Sequence, residues 1–108
     1  MGSEFLGEGG GDMLYIAFVR NKPGTVLGNN DLMTKSRKWW NEGDRPAGLR
    51  TVSFYGSLGT NAPDVYVFEA ESHDDIRKML DYWKEVEFDI HPAMDFAEVF
   101  RAQGMNIK

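Results

Sequence analysis

Glu85-Val-Glu-Phe-Asp-Ile-His91 sets a polar side chain beside an apolar one at every step, and Pro92 closes the run. Alternation with a period of two marks a strand with one covered and one open face. Val86, Phe88 and Ile90 should therefore lie under a covering layer, with Glu87, Asp89 and His91 on the other side. Immediately upstream the period changes. Ile76, Met79, Leu80 and Trp83 recur at i, i+3, i+4 and i+7 behind Ser72-His-Asp-Asp75, a serine-x-x-acid capping pattern, so a helix leads into this strand. Before the helix, Asp64 to Ala70 is short and rich in β-branched and aromatic residues, which predicts a strand. The C-terminal half is thus a β-α-β unit.

The N-terminal half repeats the plan. Met13 to Arg20 reads as a strand that stops at Asn21 to Gly24. A helix follows, capped by Asn30 or Asp31 and stopped by Gly43, with Leu32, Met33, Ser36, Trp39 and Trp40 on one arc of about 120°. Leu49 to Leu58 is a strand joined to Asp64–Ala70 by the turn-formers Gly59 to Pro63, which makes an antiparallel hairpin. A last helix spans Asp95 to Gln103, with Phe96, Val99 and Phe100 on one side and Gly104 behind it.

The order β-α-β, β-α-β plus a terminal helix predicts an α+β protein of split-βαβ, ferredoxin-like plan, its four-stranded antiparallel sheet covered by helices on one face. The more apolar parity should face the helices: Leu14, Ile16 and Phe18; Val52 and Phe54; Val65 and Val67; Val86, Phe88 and Ile90. The other face would then hold Tyr15, Ala17, Val19, Thr51, Ser53, Tyr55, Tyr66 and Phe68 beside the polar residues of the last strand. Such a face is too apolar to stay bare. A homodimer that pairs two sheets as a dimeric α/β barrel is expected to cover it.

Composition agrees with one small domain. The chain has 108 residues, 12.3 kDa, no cysteine and a net charge of −5. Cysteine-zinc sites, iron–sulfur clusters, disulfides and thiol nucleophiles are excluded. The longest uncharged apolar run, Met13 to Val19, is far short of the ~20 residues a membrane span needs, and no signal pattern opens the chain. A cytoplasmic protein without membrane contact is expected. Met1 to Asp12 holds five of the twelve glycines, and Gly2-Ser3-Glu4-Phe5 reads as a cloning scar. Residues 1–12 are expected to be a disordered leader and residues 13–108 the folded domain, whose net charge without the leader's three acidic groups is −2. Residues 13–60 carry +4 and residues 61–108 carry −6, a split that suits either head-to-tail docking or a solvated acidic helix face.

Val67-Phe-Glu-Ala-Glu-Ser72, the helix end Tyr82-Trp83 and Val86-Glu-Phe-Asp-Ile-His-Pro-Ala93 resemble the C-terminal half of a small family of uncharacterised domains in the dimeric α/β-barrel superfamily. The resemblance implies two ferredoxin-like sheets paired face to face around a cavity. Within the superfamily that this chain resembles, some members bind heme or oxidise small aromatic compounds without a cofactor, and others have no known activity.

His91, oriented by Asp89 and Glu87 on the same strand face about 7 Å apart, is the candidate general base, against the plainer reading of a strand-end histidine at a dimer seam. Tyr15, Tyr55, Tyr66 and Phe68 are the candidate ligand-binding walls, and Trp40, at the edge of its helical arc, the lip of a pocket. Metal is rejected: His73 is the only other imidazole and sits in a helix's first turn. Glu69 is read as capping a helix start. Lys35, Arg37 and Lys38 read as a solvated face, and Gly56-Ser-Leu-Gly59 as turn chemistry, since no helix N-terminus follows it. The RNA-recognition motif shares this element order, with Tyr66 and Phe68 as stacking rings, but Glu87 and Asp89 on the presented face would repel phosphate. No nucleic-acid partner and no cofactor is called for. Two readings stand: a homodimer that binds or transforms a small aromatic or hydrophobic molecule in the barrel interior, and a structural or regulatory dimerisation domain without catalysis.

Overall fold

In the computed structural model, which describes residues 12–24, 28–59 and 61–108, the chain runs β1 (Met13–Asn21), α1 (Asn29–Asn41), β2 (Leu49–Tyr55), β3 (Asp64–Ala70), α2 (His73–Tyr82), β4 (Val86–Pro92) and α3 (Phe96–Ala102). Apart from Asp12, the leader expected at residues 1–12 lies outside the described residues. The four strands form one antiparallel sheet in the order β2-β3-β1-β4, with the two strands that begin the two halves at its centre. This is the expected βαββαβ plan with an added helix. Among the described residues, no helix is long and apolar enough to cross a membrane.

Local chemistry sets the element ends. Ser72 caps α2, its Oγ accepting from the Asp75 backbone N–H at 3.3 Å, as the serine-x-x-acid pattern anticipates. Asp95 caps α3 in the same way, accepting from Glu98 N–H at 3.0 Å. At α1 the expectation fails: Gly28 occupies the cap without a side-chain bond, and Asn30 and Asp31 lie within the first turn, where Asp31 meets the positive helix end. Gly43, at φ +88°, ends that helix region.

The sheet faces differ from the sequence expectation in β1 and β3. Tyr15, Ala17, Tyr66, Phe68 and Ala70 are buried with Leu49, Trp39 of α1 and Met79 of α2, while Leu14, Ile16, Phe18, Val65 and Val67 lie half-buried on the open side. Both parities of these strands are apolar, so hydrophobicity within a strand could not choose between them. The choice comes from register. Ala17 stands opposite Ile90 and Val19 opposite Phe88, so the apolar side of β4 carries the Tyr15 parity of β1 with it. Through Tyr15 opposite Phe68 and Ala17 opposite Tyr66 the assignment passes to β3. In β4 the alternation read from the sequence holds.

Strand β2 is irregular between Thr51 and Ser53. One extra residue there places Thr51 and Phe54 opposite Phe68 and Tyr66, toward the helices, and Ser53 and Tyr55 on the open side. Val52, expected under the helices, sits at the bulge and is 55% exposed. Glu69 also departs from expectation. It lies on the open face opposite Leu14 and Arg50 and pairs with the Arg50 guanidinium rather than capping a helix.

These faces make unequal demands. Phe68→Ala should cost about 3–5 kcal/mol, because the ring is fully enclosed, whereas Val52→Ala should cost less than about 1 kcal/mol. Urea denaturation of the two variants checks the assignment, and comparable losses would contradict it.

Candidate functional site

Helix α1 is fastened to the rest of the molecule along its C-terminal half. The Trp39 ring lies 4.8 Å from Tyr82 and 5.9 Å from Trp83, and Lys35 reaches Glu85 at 2.8 Å while its ammonium stands over both the Tyr82 and Trp83 rings. The Tyr82 hydroxyl is 2.9 Å from Asp44 Oδ2 and 3.0 Å from the Lys35 carbonyl, so its single proton ties α2 both to α1 and to the segment after it. Burial, then the Asp44 carboxylate, pushes the Tyr82 pKa up to about 12, and the Lys35 ammonium holds Glu85 below its usual range.

The rest of the apolar arc of α1 does not close on the sheet. A cleft of about 350 Å³ separates them, with Leu32, Met33, Ser36, Trp39 and Trp40 above and Phe54, Tyr66, Phe88 and Val19 below. Trp83 and Met79 form its α2 side, and Arg20, Asn21 and Asp64 contribute polar groups. All three tryptophans of the chain line this one space. Trp40 is its lip, as its place on the arc anticipates, and the Arg45 guanidinium lies 5.6 Å over the indole. In the floor, the Tyr66 hydroxyl pairs with Thr51 Oγ1 at 3.0 Å, and burial raises its pKa. The walls are flat, apolar and aromatic, with few polar groups, which is the character of a small-molecule site.

The residues singled out in the sequence are divided between two faces. Tyr66 and Trp40 line the cleft, and Tyr15 and Phe68 lie in the same buried layer, stacked at 5.5 Å on each other and, for Phe68, at 4.9 Å on Tyr66. Glu87, Asp89 and His91 stand on the open side of the edge strand β4, opposite Arg20, Phe18 and Ile16. There His91 Nε2 meets Asp89 Oδ1 at 2.9 Å, with side chains 54% and 69% exposed. Tyr55 shares that face but sits on β2, the other edge strand, about 14 Å away across the sheet. Within one protomer the polar trio and the aromatic walls therefore do not converge. The register that overturned the β1 parity also overturned this grouping. It likewise buries Tyr66 and Phe68, so the two rings offer no stacking platform for a nucleic acid. The cleft residues missed in the sequence, Phe54, Phe88 and Trp83, each appeared there in an apolar pattern. What was lacking was the knowledge that α1 stands above them.

Such a sheet, with α1 and α2 packed on one face, defines an α+β protein of ferredoxin-like architecture. Residues 13–105 match the family model described as Domain of unknown function (DUF3303), and the chain belongs to that family. No curated protein and no solved structure matches it.

The Tyr82 bond gives a pH dependence. A folded-state pKa of about 12, above the ordinary 10.0, favours the protonated folded form, so this contribution is complete below pH 10 and is lost as pH rises through 12. Ultraviolet titration should show a tyrosine ionising near pH 12, and Tyr82→Phe should remove that step and the accompanying loss of stability between pH 10 and 12.

Proposed function

We propose that this protein is a cytoplasmic homodimer that binds a small, flat, hydrophobic or aromatic molecule. The observation that carries the reading is the 350 Å³ cleft beneath α1, lined by every tryptophan in the chain. A dry cavity of about 150 Å³ takes up benzene, so this volume suits a molecule of two or three fused rings. Ser36, Asn21 and Asp64 offer partners for one polar substituent. The sequence reading placed the ligand between paired sheets. The cleft supports a position on the other side of the sheet, where the aromatic walls lie.

Pairing of two copies is supported by the open sheet face, where Leu14, Ile16, Phe18, Val65 and Val67 form an apolar centre on β1 and β3. A second reading, a cofactor-free enzyme, draws on the 2.9 Å pairing of His91 with Asp89, which orients the imidazole as a general base. With Glu87 alongside, that trio would act at the seam between copies, facing a surface supplied by the partner. The two readings separate in His91→Ala, which should leave ligand held in the cleft under the first and abolish turnover under the second.

Tryptophan emission reports on the cleft alone. Titration with 2-naphthol or 1-aminoanthracene should quench it saturably, and Ser36→Phe, which fills the cleft from α1, should weaken binding at least tenfold. Unchanged binding in Ser36→Phe, or the absence of a saturable response to either probe, would overturn the proposal and leave the assembly domain as the better description.

A further inference from the structure

The protomer carries two unfinished apolar surfaces on different elements. One is the open sheet face. The other is α3, where Phe96, Val99 and Phe100 fall at i, i+3 and i+4 and continue into Met94, Met105 and Ile107. All six are 38–62% exposed. The helix is nevertheless carefully terminated. Asp95 caps its start, Gly104 at φ +89° ends it, Met105 N–H donates to the Phe100 carbonyl at 3.0 Å, and the rings of Phe96 and Phe100 stack at 5.8 Å. Seven residues are too few for a helix to persist in water on propensity alone. Here they are fixed with an apolar stripe turned outward. At about 150–200 Å² for a whole side chain, the stripe shows about 500 Å², near the upper range that monomers leave uncovered.

We propose that the α3 stripe of each protomer packs on the open sheet face of a second copy; the inference rests on the homodimer reading above and names the element that each copy lays on the other. Symmetry and area both favour this occupant. A two-fold axis makes each contact occur twice, so two stripes and two receiving faces bury about 2,000 Å², the size of a stable specific interface. A single peptide or unrelated partner would cover one surface and leave the other bare.

The absence of cysteine makes the contact directly testable. Copies carrying Val99→Cys are mixed with size-tagged copies carrying Ile16→Cys and treated with a short bis-maleimide. Linking between the two variants should exceed linking of either with itself. Phe96→Ser/Phe100→Ser should raise the dimer dissociation constant at least tenfold in sedimentation, with unchanged far-ultraviolet circular dichroism; should that variant unfold, the cross-link decides. Self-linking of Ile16→Cys without the mixed product, together with an unaltered dissociation constant, would overturn the α3 assignment and leave a sheet-on-sheet dimer. A wild type sedimenting as a monomer at micromolar concentration would overturn the homodimer reading and this inference with it.

Discussion

Tyr15, Phe68 and Tyr66 stack in a row across β1 and β3, and this aromatic layer is the floor on which the helices rest. Its geometry constrains everything above it. Ala17 and Ala70 lie in the same buried layer, with little bulk beside the rings, and there Trp39 and Met79 are buried as the contributions of α1 and α2. The Tyr66 hydroxyl can be buried because Thr51, on the same side of β2, answers it. Rings of this size stacked side by side present a flat surface that one large side chain per helix can seal at a point. Trp39 seals it at the C-terminal half of α1. Toward Leu32 and Met33 nothing of comparable size reaches down, and the cleft is the space that results.

The fastening of α1 follows the same logic. Tyr82, Trp83 and Lys35 hold Trp39 from the side, so the indole is gripped between helices as well as against the sheet. The ion pair Lys35–Glu85 is partly shielded by the two rings under the ammonium, and a cation held over aromatic faces loses less to solvent than a surface pair. A helix anchored along one half by rings and a partly shielded ion pair can leave its other half over open space without drifting. An uncollapsed apolar space is thereby kept.

Much of this was legible in the sequence, and the part that was not has a definite cause. Ser72, Asp95, Gly43 and Gly104 mark their helix ends because caps depend on a few neighbouring residues. Strand β4 was readable to the side chain because one of its parities is charged. In β1, however, Leu14, Ile16 and Phe18 compete with Tyr15, Ala17 and Val19, and counting hydrophobic atoms favours the wrong set. The tyrosines mislead because a hydroxyl lowers a residue's rank on that count, although a bonded hydroxyl is readily buried and the ring beneath it is large. The Thr51 hydroxyl that bonds Tyr66 would have supplied the correction, but the bulge at Val52 hid which residues of β2 share a face. The site was misgrouped for the same reason. Tyr15, Tyr66 and Phe68 share the helix-side layer, whereas Tyr55 and the polar trio stand on the open face, and one inverted parity had placed them all together.

Because the side chains of β1 alternate across the sheet, the two apolar surfaces share a backbone without sharing side chains. Val19 contributes to the cleft and Phe18 to the open face, one residue apart. Among the described residues eight form the buried core, which is small beside central strands that are apolar on both sides, so the helices do not cover all of this apolar area. Anything that covered such area from outside would stabilise the folded state by mass action. Residues 15, 17 and 19 and residues 14, 16 and 18 of β1 are apolar alike, whereas β4 keeps one polar parity, so the apolar area that the helices leave over lies at the centre of the sheet and not along its β4 edge.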